Sequence, residues 1–156
     1  MRIHLIAVGN RMEAWVKAGF DEYAKRMPKE CQLVLKEIEP AKRSKSGNSE
    51  TYKSIEAKKI LAAIPEGSTV IALDVQGMQF STEQLAEHMT DWMSSGRDVA
   101  LLVGGPDGLD QQCLSIANQK WSLSRLTMPH PIVRIVLAEQ LYRSWSITRN
   151  HPYHRA

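Results

Sequence analysis

Chemically capable side chains are densest near the C-terminal end. His151, Tyr153, His154 and Arg155 bring two imidazoles, a phenol and a guanidinium within five positions. Such a set can donate protons, accept them and grip phosphate oxygens. It is a poor metal site, because His151 and His154 stand three apart with no third ligand nearby. Cys31 and Cys113 form neither a CxxC pair nor a zinc spacing, and read as reduced, partly buried thiols. No GxSxG elbow marks a hydrolytic serine.

A second group of candidates lies at the expected strand ends: Leu73 to Gly77, Val103 to Gly108, and Leu123 to Met128. In open parallel sheets ligands bind at such carboxyl ends, and glycines there admit close approach to the backbone. Gly104-Gly-Pro-Asp-Gly108 is neither a GxGxxG nor a GxxxxGK[ST] loop. It offers no lysine for a triphosphate and no acid for a dinucleotide ribose. A cofactor read through backbone amides and carbonyls, such as an adenine-bearing one, fits better. Taken alone, the turn also reads as a plain strand-to-helix connection. His130, between Pro129 and Pro131, reads as a helix-start residue with a structural hydrogen bond.

The elements that must position these groups follow from periodicity. Strands are expected over Arg2–Val8, Gln32–Ile38, Thr69–Asp74, Val99–Val103 and Trp121–Leu123. Met12, Trp15, Val16, Phe20, Tyr23 and Met27 recur at helical spacing up to Pro28. Pro40 to Asn48, rich in lysine and serine, reads as a mobile loop. A helix over 49–64 has Ile55, Ala57, Ile60, Leu61 and Ile64 inward. Ser81-Thr-Glu-Gln84 has the form of a capping box, Gly96 of a helix stop, and Asp110 of an N-cap. The final helix, from Pro131, is apolar on nearly every side, so something must cover every side; a second subunit is one economical cover. Strands alternating with helices predict an α/β fold around a parallel sheet, in one domain over 1–156.

An apolar fraction of 43% suffices for a core, and 24% charged residues is ordinary for a soluble chain. The apolar runs are too short to span a bilayer, and the opening run reads as a strand rather than a signal peptide. A cytoplasmic location is the expectation. The formal charge is only +3, yet Lys36, Lys42, Arg43 and Lys45 cluster, as do Arg143, Arg149 and Arg155. Clusters matter more than the sum for a polyanionic partner.

Four segments together carry a family resemblance: Leu102–Leu109, Trp121–Arg134, Glu139–Trp145 and Asn150–Arg155. With the opening Ile6-Ala-Val-Gly9 and the strand end Leu73-Asp74, the chain resembles the RlmH family across its whole length. This is a family of SPOUT-superfamily methyltransferases acting on N3 of a pseudouridine in 23S ribosomal RNA. Met78 departs from the pattern, since relatives often carry lysine there.

The resemblance implies a deep C-terminal trefoil knot, a rare exception to ordinary topology, and a homodimer with its site completed across the interface. It implies S-adenosylmethionine as cofactor, against Leu73, Gly104, Leu123, Ser124, Arg125, Leu126, Thr127 and Met128, with no metal. The implied substrate is a stem-loop of 23S rRNA in the assembled ribosome. His154 is then the leading proton acceptor or orienting group, Arg155 an oxygen or phosphate ligand, and Tyr153 a stacking or donating group. Lys42, Arg43, Arg143 and Arg149 are candidate phosphate contacts. Two alternatives are a non-catalytic RNA- or ribosome-binding module and a nucleotide-dependent α/β enzyme.

Overall fold

The computed structural model describes residues 1–155. Five strands form one sheet: β1 (Arg2–Val8), β2 (Gln32–Ile38), β3 (Thr69–Met78), β4 (Val99–Val103) and β5 (Gln119–Trp121). Their order is β2-β1-β4-β3-β5, and every neighbouring pair is parallel. Four α-helices connect them, α1 (Ala14–Ala24), α2 (Ser49–Ala63), α3 (Thr82–Ser95) and α4 (Gln111–Ile116), and α5 (His130–Thr148) follows the last strand. Successive strand side chains point to opposite faces. Ile3, Leu5 and Ala7 of β1, with Val99, Leu101 and Val103 of β4, therefore meet Phe20, Met89 and Leu137 from α1, α3 and α5. Ile6, Val8, Ala100 and Leu102 meet Ala57 and Ile60 of α2 and Cys113 of α4. Both faces of the sheet are covered, which is why the central strands read as continuous apolar runs.

Local chemistry sets several helix ends. Ser81 Oγ accepts from the Gln84 amide while Gln84 Oε1 accepts from the Ser81 amide, the capping box the sequence proposed. Gly96 closes α3 at φ 70°, and Asp110 caps α4. The helix α1 is shorter than its apolar spacing implies; it ends at Ala24, and Met27 is buried from the turn beyond it. On α2 the inward face differs from expectation. Ile55 is 40% exposed, whereas Tyr52, Glu56, Ala57 and Ile60 are buried. Polar partners turn the helix that way: Glu56 Oε2 accepts from the Ala41 amide, and the Tyr52 hydroxyl bonds both the amide and the carbonyl of Ser44. The lysine- and serine-rich loop is thus bonded to Tyr52 through Ser44. Cys31 and Cys113 are free and buried, and burial pushes each thiol up to about 11.

Two differences bear on the site. β3 runs on to Met78, with its register against Trp121 broken between Leu73 and Met78, so Asp74 to Gly77 arch out of the ladder. Gly77 permits this, since a Cβ there would come within 2.5 Å of the Trp121 carbonyl carbon. β5 lies over Gln119–Trp121, two residues earlier than expected. Asn118 starts the ladder, its backbone N donating to the Val70 carbonyl and its side-chain oxygen accepting from the Val70 amide. Ser122 ends it by turning its hydroxyl to the Ser124 carbonyl. Among the described residues, no helix is long and apolar enough to cross a membrane.

Candidate functional site

A cavity of about 830 Å³ opens at the carboxyl ends of β3, β4 and β5, beside the first turn of α5. That volume is in the range that encloses a cofactor-sized ligand. Leu73, Gly104, Leu123, Ser124, Leu126, Thr127 and Met128, all expected at a cofactor, line it; Arg125 does not. The walls are largely apolar, with Val103, Leu109, Trp121 and Val133 contributing. Such walls suit a flat heteroaromatic ring. Asp74 and Asp107 also line the cavity, two carboxylates able to take hydroxyls or an ammonium group. S-adenosylmethionine fits this donor set.

Gly104 lines the cavity and also serves the tight turn that the sequence offered as the plainer reading. A Cβ on it would lie 2.5 Å from the backbone of Gly108, so the turn closes on itself there. Gly108, at φ 84°, bridges back to Gly105. The glycines shape the wall; they do not simply clear space for a ligand. The rim of this turn is held from outside. Arg43 donates to Asp107 and lies 4.7 Å over the Tyr52 ring. This residue, expected at RNA phosphate, is already paired with a carboxylate.

His130 lines the cavity from the start of α5. Contrary to expectation, its Nδ1 is buried with no hydrogen-bond partner among the described residues. Burial, and then the Arg134 charge, push its pKa below the ordinary histidine value. Arg134 is 1% exposed and donates to Glu37 Oε2 and to the Gly9 carbonyl, each at 2.8 Å. It fixes α5 to the ends of β1 and β2. Asp74 and Asp107 fall within the strand ends expected to bind a ligand, whereas Lys53 and the cavity-facing position of His130 are not foreseen from the sequence. The strand-end position of Asp74 was the available signal.

The C-terminal residues gather elsewhere. Asn150, at φ 53°, turns the chain back after α5, an αL turn that asparagine tolerates. The Tyr153 ring then packs 4.7 Å from that of Tyr142, and its hydroxyl donates to Glu139 Oε1 at 3.1 Å. Burial and that bond push the phenol above its ordinary pKa. Arg143 donates to the same oxygen from Nε at 2.8 Å and from Nη2, and reaches His154 Nδ1 at 3.3 Å from Nη1. A guanidinium only donates, so Nδ1 accepts and the ring hydrogen sits on Nε2. Nε2 stands 3.5 Å from Glu83 Oε1. Arg155 is exposed. Arg149 is exposed and 3.9 Å from Glu30, while Lys42 is exposed. Of the four candidate phosphate contacts, Arg43 and Arg143 are therefore tied to carboxylates.

His130 and Glu139 are nine positions apart on α5. At 1.5 Å per residue, roughly 13 Å of helix separates the cavity from the tail cluster. The structure does not bring the two candidate groups together within one chain. Among the described residues, no group of three or more acidic, histidine or cysteine side chains is placed to hold a metal ion.

A family profile described as predicted SPOUT methyltransferases matches residues 1–154. Relatives named ribosomal RNA large subunit methyltransferase H match the chain along nearly its whole length. That of Thioalkalivibrio sulfidiphilus is 56% identical, covering 99% of both chains. That of Hydrogenovibrio crunogenus is 54% identical with the same coverage. That of a Marinomonas species is 55% identical, covering 99% of this chain and all of its own. A solved structure, a probable methylase family protein from Haemophilus influenzae, is 14% identical with a TM-score of 0.54. It covers 99% of this chain and 70% of its own, a likeness of fold alone. Matched end to end by the profile and by relatives above half identity, the chain belongs to the SPOUT methyltransferase family.

Proposed function

We propose that this protein methylates N3 of a pseudouridine in a 23S rRNA stem-loop of the assembled ribosome. It would use S-adenosylmethionine as donor and work as a knotted homodimer in the cytoplasm. The relatives named as ribosomal RNA methyltransferases support the substrate class. One observation carries the dimeric reading: α5 holds the tail of a chain roughly 13 Å along its axis from that chain's own cavity. A site needing both must take them from two copies. Half-buried Ile132, Val133, Ile135 and Val136 on α5 offer apolar surface for the second copy.

Bound in the cavity, S-adenosylmethionine supplies an already activated methyl group. The chain's own work is placement and charge. Leu73, Leu123 and Met128 would grip the adenine, and Asp74 or Asp107 a polar end. Enclosure by these walls holds the reacting atoms in line, which contributes several kcal/mol, of the order of 7 or more in well-oriented systems. N3 of the base lies between two carbonyls, so negative charge spreads to their oxygens as the proton leaves. Arg155 and the Tyr153 hydroxyl are donors suited to those oxygens. His154 is the leading proton acceptor or orienting group, and a positioned base contributes about 10²–10⁴-fold. Its Nδ1 already accepts from Arg143. Proton transfer to that atom therefore requires the Arg143 contact to open; with it closed, His154 orients.

The test is His154→Ala. Loss of methyl transfer, with folding and S-adenosylmethionine binding intact by calorimetry, supports the assignment; unchanged turnover removes it. Titration with ATP in parallel separates a nucleotide-dependent enzyme. RNA binding without any donor-dependent methylation would leave the non-catalytic module as the reading.

A further inference from the structure

The polar network behind the tail converges on Glu139, which opens one of the resembling segments but to which the sequence assigns no role. Glu139 Oε1 accepts from Arg143 and from the Tyr153 hydroxyl, and its Oε2 accepts from Gln140 Nε2 at 2.7 Å. Gln140 Oε1 in turn accepts from Thr82 Oγ1 at 2.8 Å, tying the set to the start of α3. The Glu139 side chain is only 17% exposed. Charge-assisted bonds in such a partly dry setting hold geometry better than surface pairs do. The other anchors of the tail are the His151 amide donating to the Ser146 carbonyl, the Tyr142 ring, Arg143 4.9 Å and Arg26 5.8 Å over Tyr153, and Glu83 3.5 Å from His154 Nε2, so Glu139 is the carboxylate that holds Tyr153.

We propose that Glu139 is a positioning residue for methyl transfer, fixing Tyr153 directly and His154 through Arg143 in the form that one protomer offers to its partner's cavity. This rests on the function proposed above. Tyr153 and Arg143 belong to the tail cluster, and Glu139 itself is outside the buried apolar cores. Its loss therefore frees the tail without opening the fold. A misplacement of about 1 Å costs on the order of 10²-fold in rate.

Mixed dimers give the test. One chain carries Gly104→Val, which blocks its cavity but keeps its tail. The other carries His154→Ala with Arg155→Ala, which keeps its cavity but disables its tail. Such a pair holds one complete site. Adding Glu139→Ala to the tail-providing chain is expected to lower kcat by about 10²-fold, with KM for S-adenosylmethionine unchanged. The same change on the cavity-providing chain is expected to cost at least about tenfold less. Equal losses from both placements, or no loss from either, overturn the proposal. Glu139→Gln, which keeps an acceptor for Tyr153 but loses the charge, is expected to fall between. A second readout needs no activity: amide hydrogen exchange at 150–155 is expected to quicken in Glu139→Ala while that of β1 and β4 is unchanged. Unchanged exchange at 150–155 also overturns the proposal. Absence of methyl transfer by the unaltered protein would instead sink the proposed function, and the exchange experiment would still decide the role of Glu139.

Discussion

At the His130 end of α5 the structure is made of backbone: a glycine turn closed on itself, an arch in β3, and a strand that stops at Trp121. At the Glu139 end it is made of side chains: a phenol, two guanidinium groups and an imidazole gathered about one carboxylate and one aromatic ring. The backbone wall has almost no freedom to adapt, as a cavity for one fixed ligand requires. The side-chain cluster can open one bond at a time, which suits groups that must move protons. Substitutions should therefore fail in different ways at the two ends, abruptly at the first and by degrees at the second.

The largest effect is expected at the turn. Gly104→Val drives a side chain into the Gly108 backbone, and S-adenosylmethionine affinity should fall more than about 1,000-fold by calorimetry, some 4.1 kcal/mol. Retained affinity would mean that the wall yields and that the contrast is false. Next comes the helix that joins the ends. Arg134→Met strips Glu37 and the Gly9 carbonyl of a buried donor. Urea denaturation should show a loss of about 3 kcal/mol, the lower end for a broken buried pair because Glu37 can rehydrate. Tyr153→Phe keeps the ring against Tyr142 but removes one bond to Glu139. Turnover should drop by about tenfold with donor affinity intact, the scale of one hydrogen bond to a charged group.

The smallest effects are in pH, and they have opposite signs. His130 has its pKa lowered, by burial first and Arg134 second. The fold thus favours the neutral imidazole, and this stability is complete above the unfolded value near 6.5 and fades as pH falls through the lowered pKa. Tyr153 has its pKa raised, by burial first and Glu139 second. The fold favours the neutral phenol, and that stability is complete below about 10 and fades as pH rises through the raised pKa. Denaturation midpoints against pH should lose their acid limb in His130→Gln and flatten on the alkaline side in Tyr153→Phe.

The two ends also differ in how far sequence disclosed them. β1 and β2 fall where alternation and turn residues placed them, and the Ser81 capping box and the Gly96 stop are local signals that were read directly. The cavity was legible because strand ends in a parallel sheet are where chain reversals expose backbone. Gly77 and Gly104 were visible as glycines, but their need for space against Trp121 and Gly108 is a long-range fact. The tail was legible as a list of functional groups and not as a geometry. The left-handed turn at Asn150 and the convergence on Glu139 depend on a helix face meeting a returning chain. For the same reason Arg43 looked free in sequence, yet Asp107, distant along the chain, holds it. On α2, apolar periodicity gave way to hydrogen bonding, with Tyr52 and Glu56 turned inward by loop backbone.

The stretch of α5 between His130 and Glu139 acts as a ruler. Its base is fixed by Arg134 and its far mark is read by the returning chain. One residue inserted there would advance the upper part by 1.5 Å and swing it by about 100°, carrying the phenol off its neighbour and round to another side. Length along this segment is therefore a quantity the molecule must keep.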